Sequence, residues 1–212
     1  MKKINIIFVE PNLIMNRGMA IFLANSEIVN KVSSFLSIKE LQSDKIGIND
    51  LLILDTESNK DLEYLLKIKI KNPMLPILFL SSKERYFENY LFAQKHNIPS
   101  FLTKRINPSL LIEEIQKIRI KINAGIQLFG KPDKNSFESL FDSPPIFTLK
   151  ETCILHFVAR AKSNTEIGKL IGLSHRTVET HRRRIIEKME GKNIIPALIF
   201  AIKKKYISID FV

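Results

Sequence analysis

Short, nearly all-apolar runs recur along the first half of the chain, at residues 4–9, 51–54 and 77–80. Runs of this length and composition predict parallel strands covered on both faces. Residues 28–35 and 100–102 are weaker strand candidates. Helical periodicity fills the intervals at residues 13–24, 61–71, 85–95 and 108–122. Alternating strand and helix patterns predict a doubly wound (βα)5 α/β domain.

The pattern changes after residue 123. Gly125, Gly130, Pro132, Asp133, Ser136, Ser139, Ser143, Pro144 and Pro145 suit neither period. We read residues 124–145 as a linker with a short helix around 137–141, preceded by one domain (1–123) and followed by another (146–212).

Within the second domain, Ser163 and Glu166 have capping-box spacing, and Ile167, Leu170 and Ile171 form an apolar stripe that stops at Gly172. Leu173 is expected to plug the turn. Ser174 offers a hydroxyl cap to a second helix over 175–190, which contains neither Gly nor Pro. At about 100° per residue, Val178, Ile185 and Met189 share one side of it. Arg176, Thr180, Arg183 and Glu187 share the opposite side, with Thr177, Glu179 and Arg184 at the edges. Helix, short turn and helix with a basic, hydroxyl-bearing face is what a major-groove reader needs, because Arg bonds guanine edges or phosphate and Thr serves bases or backbone. His181 lies beside the apolar stripe and is expected to pack into the core.

Charge agrees. The 212 residues carry a net +11, and the part from Ile146 onward holds 13 of the 33 Lys and Arg against 6 of the 22 acidic residues. Such a field attracts a polyanion. No run approaches the roughly 18 apolar residues of a spanning helix, and the apolar run after Met1 is too short for a secretory signal. The lone Cys153 excludes an intramolecular disulfide and is expected as buried filler, so a cytoplasmic location is expected.

Residues 147–208 resemble the LuxR/FixJ-type (NarL-like) helix-turn-helix output domain, an all-α four-helix unit. The resemblance rests on Phe147-Thr148-Leu149-Lys150-Glu151, Ser163-Asn164-Thr165-Glu166-Ile167, Leu173-Ser174, Arg176-Thr177-Val178-Glu179 and His181. It implies base contacts from Glu179, Thr180 and Arg183. It implies phosphate contacts from or beside Arg176, Thr177, Arg182, Arg184 and Lys188. It also implies dimerisation through a fourth helix over about 194–205, whose stripe of Leu198, Ile199 and Ile202 suits core packing equally. Cys153 stands where the family usually has Glu, and Ala161 where it often has Gly.

In doubly wound folds the site lies at the carboxyl ends of the strands, here Glu10, Asp55, Ser81 and Lys104. With Phe101, this set resembles the receiver domain of bacterial two-component response regulators. The resemblance implies Asp55 as phosphoacceptor, Ser81 as switch hydroxyl, Phe101 as switch aromatic and Lys104 as the phosphate-binding lysine. Pro11 replaces one of the two adjacent acids that hold Mg²⁺ in the family, and Thr56-Glu57-Ser58-Asn59 replaces its usual turn. A Mg²⁺ site on Glu10 and Asp55 is therefore expected to be weak.

The expected protein is a DNA-binding transcriptional regulator and homodimer rather than an enzyme. Its receiver-like domain controls dimerisation and DNA binding, with Mg-dependent phosphorylation weakened or absent. Conventional activation by a histidine kinase through Asp55 stays open. So does an adaptor that binds RNA polymerase or another protein without reading DNA. A hydrolase using Asp55 lacks a second catalytic carboxylate and a phosphate-cradling Gly-rich loop.

Overall fold

The computed structural model describes residues 2–42, 45–47, 49–56, 58–82, 86–128, 130–132 and 145–207. The chain divides into two compact units, Met1–Ser136 and Phe137–Val212. The helix expected over 137–141 and most of the expected linker fall outside the described residues.

The first unit is built on five strands: β1 Ile4–Val9, β2 Val29–Phe35, β3 Asp50–Leu54, β4 Ile77–Ser81 and β5 Ser100–Thr103. All pair in parallel, in the order β2-β1-β3-β4-β5. Every residue of β3 and β4 is buried, the physical reason residues 51–54 and 77–80 are unbroken apolar runs. The connecting helices are α1 Leu13–Ala24, α2 Asn59–Lys71, α3 Tyr86–Lys95 and α4 Pro108–Asn123. Asn12 caps α1 through the Met15 N–H at 3.0 Å, and Asn107 caps α4 through that of Ser109 at 2.9 Å.

Two details go beyond the periodicity. Among the described residues, the β2–β3 connection holds a three-residue 3-10 turn, Ile38–Glu40, rather than an α-helix. Ile38 and Leu41 bury one turn of apolar surface there, too little to offset helix nucleation. In α1, Asn16 and Leu23 are the buried residues, whereas Ile14 and Ile21 are 85% and 65% exposed.

The second unit has α5 Leu149–Ala159, α6 Asn164–Ile171, α7 His175–Lys188 and α8 Ile195–Lys203. A Thr148/Glu151 capping box starts α5, whose residues from Glu151 to Phe157 are all buried, Cys153 included. Phe147, Phe200 and Tyr206 close the core in edge-to-face contacts of 5.9 to 6.2 Å. Pro196 sits in the first turn of α8, where its missing N–H leaves no intrahelical bond unmade.

The stripe expected as core on α8 is placed differently. Ala197 and Ala201 are fully buried, Leu198 and Ile202 only partly, and Ile195 and Ile199 are 58% and 48% exposed. Small residues let α8 lie close to its neighbours, and the larger ones turn away. Leu170, expected in the apolar stripe of α6, is also exposed, leaving Ile167 as its buried residue beside Gly168.

Candidate functional site

The carboxyl ends of β1 and β3 are neighbours at the point where the strand order reverses, the usual ligand position in such sheets. Sheet bonds from the Glu10 and Asp55 N–H groups to Phe35 and Val9 hold both carboxylates there. Both are buried, as are Ser81 and Phe101. Lys104 Nζ stands between the two acids, 2.7 Å from Glu10 Oε2 and 2.8 Å from Asp55 Oδ2. Burial works against its charge, but Asp55 and Glu10 outweigh that and hold the ammonium above the ordinary lysine pKa.

Asp55 accepts further bonds at both oxygens. Thr56 N–H and Asn89 Nδ2 donate to Oδ1 at 2.8 and 3.0 Å, and Ser82 N–H donates to Oδ2 at 3.0 Å. Asn89 Nδ2 also lies 2.9 Å from Ser81 Oγ, while its Oδ1 accepts from Thr56 Oγ1 at 2.6 Å. Phe101 points into a cluster with Phe79, Tyr86 and Tyr90, at centroid distances of 5.3 to 5.6 Å.

Asn89 and Thr56 were not marked by the sequence pattern. The one signal for Asn89 was a carboxamide on the face of α3 that also carries Tyr86, Tyr90 and Ala93 into the core. A buried amide needs partners, and here they are the site residues.

This pocket does not fit a divalent metal. Glu10 Oε1 accepts from the Asn12 N–H at 2.9 Å, and its other oxygen is engaged by Lys104. Pro11 supplies no side-chain ligand, and among the described residues no group of three His, Cys, Asp or Glu could hold a metal ion. Lys104 already bridges the two acids that a cation would bridge, and offsets one of their two negative charges.

In the second unit, Ser163 and Glu166 cap α6 reciprocally, with Ser163 N–H to Glu166 Oε2 at 2.9 Å and Glu166 N–H to Ser163 Oγ at 3.3 Å. The Ser163 N–H and then its hydroxyl, both donating to the carboxylate, hold the Glu166 carboxyl below the usual carboxylate range. Gly172 ends the helix in the left-handed conformation, φ 70°. Gly168 is required as well: a Cβ there would stand 2.5 Å from the Leu173 carbonyl oxygen, a close approach the sequence did not announce. Ser174 Oγ then caps α7 through the Thr177 N–H at 3.1 Å.

On α7, Val178 and Ile185 are buried, and Met189 is the partly buried C-cap. Arg176, Glu179, Thr180, Arg182 and Arg183 line one concave surface with Asn164 of α6. The structure thus brings together five of the eight predicted DNA-facing residues. Thr177, Arg184 and Lys188 lie outside that surface. Lys188 is committed elsewhere, with Nζ 2.7 Å from Glu151 Oε2 and 3.1 Å from the Ile146 carbonyl. Thr177 Oγ1 shares a hydrogen bond with Ser174 Oγ at 2.8 Å. Thr180 Oγ1 donates to the Arg176 carbonyl at 3.0 Å. His181 is only partly buried, although its Nδ1 is shut off from solvent and has no hydrogen-bond partner among the described residues.

Residues 145–201 match the bacterial regulatory proteins, luxR family. The match covers most of the second domain. Relatives in sequence extend over almost the full length of the chain. They include a probable transcriptional regulator, ycf29, of Guillardia theta, 24% identical over 94% of this chain and 96% of the relative. The response regulator protein VraR of Staphylococcus epidermidis is 25% identical over 96% and 99%. Among solved structures, a two-component response regulator RcsB in complex with DNA superposes with TM-score 0.53 at 23% identity, over 94% of this chain and 98% of that one. RcsB from Salmonella enterica serovar Typhimurium, bound to promoter rprA with a phosphomimetic, gives 0.50 at 20% over 99% and 100%.

These likenesses agree on a receiver-like α/β domain followed by a LuxR-type DNA-binding domain, the architecture of a response regulator. By description they are regulatory proteins, one of them a probable regulator of transcription. No described helix is long and apolar enough to cross a membrane.

Proposed function

We propose that the chain is a cytoplasmic, homodimeric transcriptional regulator whose receiver-like domain works without Mg-dependent phosphoryl transfer to Asp55. Its working parts are residues 1–123, a linker over 124–145, and 146–212. Arg176, Glu179, Thr180, Arg182 and Arg183 meet duplex DNA along their shared concave surface, with Arg183 and Glu179 placed for base edges. That a solved relative in fold was captured on DNA supports this use of the surface.

The observation that carries the phosphate-independent reading is Lys104 Nζ lodged between Glu10 and Asp55, with Pro11 beside them. A carboxylate bonded by Thr56, Asn89, Ser82 and Lys104 has its lone pairs engaged. It is a poor nucleophile until some of those bonds break. Receiver control then acts through dimer formation, with the exposed Ile195 and Ile199 of α8 available for pairing in the DNA-bound state.

A conventional reading, with a histidine kinase as partner, is favoured by one fact: Asp55, Ser81 and Lys104 do converge. Labelling the full chain with radioactive acetyl phosphate and Mg²⁺, beside Asp55→Asn, separates the two. We expect no Asp55-dependent incorporation, and label that disappears in Asp55→Asn would establish the conventional mechanism. The adaptor reading, with RNA polymerase as the partner instead of DNA, requires duplex binding to be indifferent to Arg183→Ala and Thr180→Ala across salt concentrations.

A further inference from the structure

Three arginines stand in a row on α7, and their surroundings differ. Arg183 and Arg184 are exposed, about 100° apart around the helix. Arg182 points closer to the protein, about 40° around the helix from the buried Val178. Its Nη1 donates to Asn164 Oδ1, at the start of α6, at 2.6 Å. Both residues line the concave surface that also carries Arg176, Glu179 and Arg183.

The chemistry of that contact fixes more than a distance. A guanidinium has only donors, so the Asn164 carboxamide must turn its oxygen to Arg182 and its NH₂ away. Asn164 is itself held, because it follows Ser163, whose N–H and hydroxyl are both bonded to Glu166. A capped helix start thus positions an amide, and the amide positions a guanidinium. Held in this way, the Arg182 guanidinium offers its remaining donors in a fixed direction, which suits an anionic oxygen.

We propose that Asn164 is a positioning residue for DNA binding: it pre-orients the Arg182 guanidinium at the rim of the recognition surface, where Arg182 grips one backbone phosphate. The proposal rests on the reading of this surface as the DNA interface. Its energetic logic is preorganisation. An unrestrained arginine loses rotamer freedom when it engages a phosphate, and one already held loses less. Arg182 therefore contributes affinity through a contact that carries no base information.

Phosphate contacts are independent of sequence, so a fixed 30-base-pair duplex of arbitrary sequence serves as probe. Affinity of the full chain is measured by fluorescence anisotropy over a series of salt concentrations. Arg182→Ala removes a charge, so Kd rises and the log–log salt slope falls by about 0.9. Asn164→Ala keeps the charge but loses its orientation. Kd is expected to rise about 3- to 10-fold, roughly the loss of one held side chain, with the slope nearly unchanged. The double variant is expected to bind no more weakly than Arg182→Ala alone. Asn164→Asp pairs with the guanidinium and neutralises it, and is expected to lower the slope as Arg182→Ala does.

Asn164→Ala leaves the Ser163–Glu166 cap intact, and an unchanged melting curve verifies the fold. Wild-type-like affinity in Asn164→Ala, or single effects that multiply in the double variant, overturns the proposal while the DNA reading stands. Absence of salt-dependent duplex binding by the wild type overturns both.

Discussion

Lys188 on α7 closes onto Glu151 on α5, with Nζ 2.7 Å from Oε2, and the same carboxylate oxygen accepts the Thr148 N–H at 2.8 Å. Glu151 is 3% exposed. The cap of one helix and the end of another thus share a single buried acid. Lys188→Met removes its counter-charge and is expected to destabilise the second domain by about 1–2 kcal/mol, less than a fully buried pair because the lysine is partly solvated. Denaturant unfolding measures this. The salt slope of DNA binding should stay at its wild-type value, and a drop of one unit would return Lys188 to the DNA interface.

Protonation should loosen the same region. Burial, with Arg184 and Lys150 adding to it and Glu151 opposing, holds His181 below the ordinary histidine pKa. Burial opposes ionisation of Glu151, but Lys188 and Thr148 prevail and its pKa is lowered. At both sites the unfolded chain takes up its proton at higher pH than the native one. Stability is therefore fully present above the ordinary histidine pKa of about 6.5 and is lost as pH falls, through the histidine range and then the carboxylate range. His181→Gln should abolish the upper step in a plot of unfolding midpoint against pH. An identical plot for the variant refutes this.

Ala161 adopts φ 55°, in the left-handed region that favours glycine. It stands where the related family often has Gly. Ala161→Gly relieves the steric cost but adds chain entropy to the unfolded state, so a net gain of about 0.5–1 kcal/mol is expected. Thermal melting reads it directly, and a lower melting temperature contradicts it.

Lys104→Met leaves two buried carboxylates facing one another. The first domain should lose about 3–5 kcal/mol at neutral pH. Acidification, which neutralises one of the acids, should recover part of that loss. A variant as stable as wild type at neutral pH would mean that the two acids do not depend on the ammonium.

Ile199→Glu places a charge on the exposed face of α8 without touching Ala197 or Ala201. If that face pairs two copies, sedimentation in the presence of duplex DNA should shift from two chains per duplex to one, with melting temperature unchanged. Two chains per duplex in the variant would put the dimer contact elsewhere.

The strands, most helix boundaries and the caps at Ser163, Gly172 and Ser174 were legible because each depends on local chemistry: an apolar run, a hydroxyl, a residue without Cβ. Glu10, Asp55, Ser81 and Lys104 were legible because parallel strands deliver their next residues to one edge. What stayed hidden depends on partners distant in sequence. Asn89 has meaning only beside Asp55, 34 positions away. Lys188 is a surface cation in a helical wheel and an ion-pair partner once α5 is packed beneath it. On α8 the alanines, not the isoleucines, face inward, because how closely a neighbouring helix approaches is not written in one helix's own pattern.

A bound metal can be stripped by a chelator and competes with other ions for its ligands. The positive charge between Glu10 and Asp55 belongs to the polypeptide itself. It is present as soon as the sheet forms and at unit stoichiometry. The compensation it supplies does not vary with the divalent content of the surrounding solution.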